Sequence, residues 1–390
     1  MRDATNERVS TPRERIRIIG IGKAGCSVID RIVERWENRL PTVAIHTHEN
    51  MLAASTAPTR LQIGAVVSKG MGCGGDPEVG RRAAEDDAAL LGNIIADTDI
   101  AFLVAGLGGG TGTGVMPAMV RMAREAGVLT LCFVTTPFDF EGDSRKTRAE
   151  RGLAELVDLA DITVVVPNQR LFEVTGGEAN LKDAFSQADE ALSTGVYAIW
   201  QLVSGHGLIN VDFADLQNLA HNTGGACGLA HGLATGRQRA GRAAAAALDC
   251  PMLGSEAIGQ SAALLVSVVG SPDITLREIN EITGKVSAAA GRGARIFTGA
   301  TIDADMNDSV LVTIVASRRW EHDGAQDPAD AASVSAKKQG RSKQKPQATQ
   351  TDLALTAMRK GRFKDVEPTI FQGEDLDVPT FIRRGIAVDK

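Results

Sequence analysis

Two glycine-dense segments carry the residues best suited to chemistry. The first, Gly20-Ile21-Gly22-Lys23-Ala24-Gly25, continues into Cys26 and Ser27 and has the spacing G-x-G-x-x-G. It follows the β-branched run Ile16 to Ile19 and opens a helical pattern, the setting in which such a loop holds phosphate. Without side chains the backbone can approach a phosphate closely, and the amides and dipole of a helix N-terminus favour its charge. The second segment, Gly106-Leu107-Gly108-Gly109-Gly110-Thr111-Gly112-Thr113-Gly114, follows a strand ending at Ala105 and leads into a helix expected to begin near Val115. Neither is a Walker A motif, because no Gly-Lys is followed by Ser or Thr. Two phosphate loops on neighbouring parallel strands imply one ligand with a long phosphate chain. Glycines serving only as flexible turns would not crowd so densely between a strand and a helix.

The first loop taken alone also suits a dinucleotide-dependent oxidoreductase. Such a site wants an acid at the end of the second strand to hold a ribose. That place reads His46-Thr47-His48, which only Glu49 could rescue. The loop has no catalytic acid–base constellation beside it, and a dinucleotide enzyme has no use for the second loop.

Crossover units must position these loops. Between Ile16 and Pro167, the apolar runs Ile16–Ile19, Val43–His46, Ile100–Val104, Val128–Thr135 and Ile162–Val166 alternate with helical patterns. That order predicts a parallel sheet covered on both faces. Leu181, Phe185, Ala188, Leu192, Val196, Ile199 and Val203 then recur every three or four residues, predicting one helix of roughly 34 Å. Beyond it we expect a helical segment near Phe213 to Leu233, a strand at Ala262 to Val269, a helix at Leu276 to Ala290, and strands at Arg295 to Ile302 and Val310 to Ala316. This is a second, smaller α/β unit.

After Ser317 the periodicity stops. Arg318 to about Asp365 is polar, with a basic cluster at Lys337, Lys338, Arg341, Lys343 and Lys345, and reads as a disordered linker. Apolar residues return between acids and arginines from Glu374 to Arg384, a pattern that suits docking into a partner's groove. The 390 residues carry 42 basic and 48 acidic side chains, a net charge of −6 that argues against a nucleic-acid binder. No apolar run reaches the length of a membrane span, and the polar N-terminus lacks a secretory h-region. Five cysteines without a CxxC fit a reducing compartment, not a disulfide framework or a zinc site. His46, His48, His206, His221 and His231 have no metal-ligand spacing, and each reads as an isolated surface histidine.

Gly108 to Gly114 resembles the GGGTGTG signature of the tubulin/FtsZ family. Gly70-Met71-Gly72-Cys73-Gly74-Gly75-Asp76-Pro77-Glu78-Val79-Gly80 resembles the FtsZ loop around the γ-phosphate. Pro137-Phe138-Asp139-Phe140-Glu141-Gly142 with Arg145 resembles the sugar loop, and Pro167-Asn168 the base loop. Gly207-Leu208-Ile209-Asn210-Val211-Asp212-Phe213-Ala214-Asp215 resembles the catalytic loop. The likeness runs from about Ile16 to Ala316 and resumes at Asp375 to Arg384, which is similar to the FtsZ C-terminal peptide. Length and tail favour the bacterial FtsZ branch over eukaryotic tubulin.

The resemblance implies an α/β fold: a parallel-sheet GTPase domain, a long central helix, a second smaller α/β domain and a disordered tail. It divides the chain at 1–14, 15–180, 181–206, 207–317, 318–370 and 371–390. It implies that the backbones of Gly20, Gly22, Lys23, Ala24, Gly25, Cys26, Ser27, Gly72, Cys73, Gly74, Gly75, Gly108, Gly109, Gly110, Gly112 and Gly114 cradle GTP, with Thr111 and Thr113 adding hydroxyls. Pro137, Glu141 and Arg145 would lie at the sugar, Phe185 would stack on the base, and Asn168 and Asp189 would read guanine. A carboxylate accepts from both N1–H and the 2-amino group of guanine, and adenine offers neither. The loop of Asn210, Asp212 and Asp215 would insert into the next subunit's pocket, where the two carboxylates orient the attacking water, although the acids also suit a helix N-terminus. Mg²⁺ would arrive with GTP, with no protein metal site.

Head-to-tail contacts would propagate into a filament, the cytoplasmic mid-cell division ring. Asp375, Leu376, Asp377, Val378, Pro379, Phe381, Ile382, Arg383 and Arg384 would bind membrane tethers such as FtsA or ZipA. Departures from the family lie in Lys23 and Cys26-Ser27, and in His46-Thr47-His48 where Asn-Thr-Asp is usual. The altered loops admit an alternative, a filament scaffold that hydrolyses slowly.

Overall fold

The structure, a computed structural model, describes residues 15–36, 40–174, 180–204, 207–211, 215–216, 226–253, 255–291, 293–317, 370–371 and 374–375. Residues 1–323 form one compact unit. It opens with strand β1 (Ile16–Ile21), helix α1 (Gly22–Trp36), β2 (Thr42–His46), α2 (Glu49–Ala53), β3 (Thr59–Gln62), α3 (Ala65–Ser68), α4 (Pro77–Asp86) and α5 (Ala88–Ile95). β4 (Ile100–Gly106), α6 (Gly110–Glu125), β5 (Leu129–Thr136), α7 (Asp143–Leu159), β6 (Ile162–Pro167), α8 (Asn168–Val174) and α9 (Leu181–Val203) follow. The remainder is β7 (Gly207–Ile209), β8 (Ala226–Thr235), α10 (Arg239–Leu248), α11 (Ser255–Gln260), β9 (Ala263–Gly270), α12 (Leu276–Ala289), β10 (Arg295–Ile302) and β11 (Ser309–Ser317).

One mostly parallel sheet of eleven strands runs β3-β2-β1-β4-β5-β6-β8-β11-β9-β10-β7. The first six strands have the doubly wound order 3-2-1-4-5-6, so the crossover direction reverses between β1 and β4, where open α/β sheets bind ligands. β11 is antiparallel to both β8 and β9, and β7 to β10. The apolar runs read as covered strands are so: β2 is buried throughout, and β1, β4, β5 and β6 are buried at all but one position each.

α9 has the bounds expected from its stripe. Ala188, Leu192, Val196, Ile199 and Val203 are buried in the cluster that covers one sheet face with α1. Burying each of the larger side chains contributes roughly 1.5–3 kcal/mol. Asn180 caps the helix by accepting from the Asp183 N–H at 2.9 Å. Trp36 of α1 stacks on Tyr197 at 4.1 Å, and the Gln201 amide donates to the Tyr197 hydroxyl at 2.6 Å.

Strand β8 differs from expectation. Part of the segment expected to be helical near Phe213 to Leu233 is strand β8. Leu229 and Leu233 stand four apart among small residues, which imitates a helix. The small residues instead admit close neighbours: a methyl on Gly228 would lie 2.3 Å from Leu253 Cδ1, and one on Gly232 would lie 2.3 Å from the Ala243 carbonyl of α10. No helix among the described residues is long and apolar enough to cross a membrane. Residues 324–390 form a separate unit, in which β12 (Ile370–Phe371) pairs antiparallel with β13 (Glu374–Asp375).

Candidate nucleotide site

Both glycine segments lie at the switch point. β1 and β4 are parallel neighbours with Ile21 beside Ala105, so α1 and α6 start side by side. The two turns pack backbone on backbone. Gly22, at φ +73°, would place a methyl 3.0 Å from the Gly112 nitrogen, and one on Gly25 would lie 2.3 Å from the Val104 carbonyl. α6 begins at Gly110, with Gly109 as N-cap and no side-chain cap, and not near Val115. The helix holds these glycines because it needs close contact. A methyl on Gly112 would lie 2.5 Å from the Gly106 carbonyl, and one on Gly114 would lie 2.1 Å from the Pro77 carbonyl of α4. The first-turn amides of α6 are thereby left for a ligand.

The third wall is the turn at Gly72, Cys73, Gly74 and Gly75, which contacts α6 where a Gly110 methyl would meet Cys73 Cβ at 2.5 Å. The Thr111 and Thr47 hydroxyls lie 2.7 Å apart, and Thr47 lies 3.3 Å from the Cys73 sulfur. Thr113 Oγ1 accepts from the Gly108 N–H at 2.8 Å. Both threonines expected to face phosphate thus bond inside the protein. Cys26 is buried, and desolvation pushes its thiol up to about 12, leaving it inert. Lys23 is exposed.

His46 is not a surface histidine. It ends β2, which is covered on both faces, and is 6% exposed. Its Nδ1 accepts from the His48 N–H at 2.8 Å, while Nε2 is buried without a partner among the described residues. Burial first, then His48, lowers its pKa to about 4, so the ring is neutral at pH 7. His48 and His231 are half-buried, which also departs from the surface reading, and His206 and His221 lie outside the described residues. The Glu49 carboxylate sits beside Gly70, beyond the strand end.

At the other end of the crevice, Pro137 follows β5 and leads into a short 3-10 turn, Asp139–Glu141. The Glu141 carboxylate accepts from the Phe138 N–H at 2.9 Å and pairs with Arg145 at 2.8 Å. Phe138 stands edge-on to Phe185 of α9 at 5.3 Å, leaving Phe185 38% exposed. The Asp139 N–H donates to Gln169 Oε1 at 3.1 Å, joining this turn to the start of α8. There Asn168 is 5% exposed, and its Oδ1 has no partner among the described residues. A buried acceptor left unmet costs about 1–3 kcal/mol unless a ligand donates to it. Across the crevice, Ser27 of α1 donates to Asp189 of α9 at 2.5 Å. Burial dominates there and raises the Asp189 pKa to about 6, against the opposing pull of Ser27, Arg31 and Lys23.

Of the residues expected to be catalytic, the described ones are not seen at these loops. Asn210 is exposed just past β7, the last strand of the sheet, and Asp215 is half-buried. Seven strand steps separate β4 from β7, about 30 Å at the usual spacing. Asp212 lies outside the described residues, as do Leu376, Asp377, Val378, Pro379, Phe381, Ile382, Arg383 and Arg384; Asp375 pairs with Ile370. Sequence reasoning passed over Arg148 of α7, which donates to the Gly108 carbonyl at 3.1 Å. Its only signal was the one-turn spacing from Arg145. Among the described residues, no group of three or more His, Cys, Asp or Glu could hold a metal ion.

The chain matches the GTPase domain of the Tubulin/FtsZ family over residues 15–176 and the C-terminal domain of the FtsZ family over residues 225–318. A mutant of FtsZ from M. jannaschii is similar at 36% identity and a TM-score of 0.73, over 78% of this chain and 91% of that one. An empty FtsZ dimer from M. jannaschii is similar at 34% identity and a TM-score of 0.73, over 81% of this chain and 95% of that one. CetZ2 from Haloferax volcanii, a GTPgS-bound protofilament, shares the fold at 20% identity and a TM-score of 0.64, over 79% of this chain and 94% of that one. With two glycine loops at the switch point, the buried Asn168 and half-buried Asp189 beside them and these likenesses over most of its length, the chain belongs to the tubulin/FtsZ family and carries its GTPase domain.

Proposed function

We propose that the chain binds GTP across the β1/β4 switch point and hydrolyses it only when a second copy completes the site. The separation of Asn210 from the phosphate loops, about 30 Å along one sheet, carries this reading. No motion of a single loop closes that gap, whereas head-to-tail stacking brings the β7 end of one copy onto the glycine loops of the next. Leu208, 67% exposed on β7, is an apolar contact at that junction.

In the bound state the α1 and α6 amides, with the Gly72–Gly75 turn, hold the phosphates. Glu141 and Arg145 lie at the sugar, Phe185 covers the base, and Asp189 and Asn168 read guanine. Asp212 and Asp215 of the adjoining copy orient the attacking water. Mg²⁺ is carried in by the phosphates and their water. The filament so formed builds the division ring at mid-cell, and residues 375–384 dock onto membrane-tethering proteins of the FtsA or ZipA kind.

A slowly hydrolysing scaffold is the second reading. It is favoured by His48, half-buried where the family's Asn-Thr-Asp carries its acid, with the neutral, buried His46 in the place of the Asn. The test is phosphate release from GTP, with Mg²⁺, against protein concentration. Activity that rises from a threshold supports the shared site. Activity strictly proportional to concentration sinks it, and filaments that release almost no phosphate favour the scaffold.

A further inference from the structure

Gly108 is held at both ends. Its N–H donates to Thr113 Oγ1 at 2.8 Å, and its carbonyl accepts from Arg148 Nε at 3.1 Å. It adopts φ +93°, and a methyl there would lie 2.7 Å from both the Arg145 Cγ and carbonyl oxygen, so only glycine fits. Arg148 is itself anchored, since its Nη1 donates to Ser144 Oγ at 2.8 Å. Its Nη2 reaches toward the third loop, 3.9 Å from where a Gly75 methyl would stand.

In a trans peptide the carbonyl and the following N–H point in opposite directions, and the described chain contains no cis peptide. Drawing the Gly108 carbonyl onto Arg148 therefore turns the Gly109 N–H away from α7. Gly109 is the N-cap of α6, it lacks a side-chain cap, and the space beside it is open. Among the described residues, its amide is the first in the loop that makes no hydrogen bond within the fold.

We infer that Arg148 is a positioning residue of the nucleotide site, fixing the Gly108–Gly109 peptide so that the Gly109 N–H meets a phosphate oxygen. This rests on the GTP-site reading above. Arg148 acts through the peptide and not through its charge, because the contact that matters is a single N–H at the Nε position. Without it the peptide can rotate and present a carbonyl to the phosphate, an acceptor facing an acceptor.

The test is the affinity for GDP and for guanosine of wild type, Arg148→Met and Arg148→Gln, with melting temperatures as a folding control. Met keeps the stem without a donor, whereas Gln places a neutral N–H near the Nε position. The expected result is a GDP affinity lowered roughly 10- to 100-fold in Arg148→Met. Arg148→Gln should stay within about threefold of wild type, and guanosine, which has no phosphate, should bind all three alike. Equal losses in Gln and Met would assign the effect to charge and overturn the inference, as would an unaffected Met variant. A wild-type chain that binds guanosine but gains nothing from GDP's phosphates also overturns it. A wild-type chain that binds neither fails at the GTP-site reading itself.

Discussion

The Ser27 hydroxyl of α1 donates to Asp189 Oδ2 of α9 at 2.5 Å, joining the helix that opens the first glycine loop to the long helix. Burial nonetheless lifts the Asp189 pKa to about 6. Two consequences follow in opposite directions. A raised acid favours the fold most below its ordinary pKa, and that contribution fades as pH rises through about 6. The proposed guanine contact needs the ionised form, so GDP affinity should fall about tenfold per unit as pH drops well below 6. Titrations of GDP between pH 5 and 8 measure this. Asp189→Asn should flatten the profile and shift preference toward xanthosine diphosphate, whose C2 carbonyl accepts from the new amide.

His46 titrates with the opposite sign. Its pKa is lowered to about 4 by burial, so the unfolded chain takes up a proton near pH 6.5 before the folded one does. The stability it supports is present above pH 6.5 and lost as pH falls toward 4, by about 3 kcal/mol. Denaturant unfolding of wild type against His46→Asn across that window should show wild type losing more. Parallel curves would contradict the assignment.

The glycines of the second loop divide by what surrounds them. Gly109 has open space, whereas a methyl on Gly114 meets the Pro77 carbonyl at 2.1 Å. Gly109→Ala should leave the melting temperature near wild type yet weaken GDP binding, since only a phosphate competes for that space. Gly114→Ala should destabilise by about 1–3 kcal/mol even without nucleotide. Calorimetry with and without GDP separates the two.

Arg239 is 4% exposed at the start of α10 and bonds to Glu278 at 2.7 Å, Asp308 at 2.9 Å, Asp273 at 3.2 Å and the Ser271 hydroxyl at 2.9 Å. Glu278 also closes the capping box of α12 with Thr275. Arg239→Met should cost about 2–3 kcal/mol in denaturant unfolding, below the usual figure for a broken buried pair because Asp273 and Asp308 remain in water. GDP affinity should not change.

The sheet was legible wherever strands were covered on both faces, because continuous β-branched runs leave no other reading. β8 was not: Gly228 and Gly232 serve contacts with Leu253 and α10 that only the assembled fold reveals. The glycines made the two loops legible at the ends of β1 and β4, where open α/β sheets bind ligands. The helical start at Gly110 was hidden, since glycine density reads as a turn until the close approach of α4 is known. The burial of His46 followed from its place in a covered strand, and the histidine's polarity masked it. Arg148 carried no motif, and its role depends on one carbonyl that sequence cannot orient.

The central claim is that the site is completed by a second copy, and mixing two defective variants tests it directly. Asp212→Ala keeps an intact pocket and lacks the loop carboxylate; Asp189→Ala keeps the loop and lacks the proposed guanine contact. Each alone should release almost no phosphate. Mixed in equal amounts, about one head-to-tail junction in four joins an intact pocket to an intact loop, and phosphate release should return. A mixture as inactive as its parts, beside an active wild type, would place the whole reaction within one chain and contradict the account.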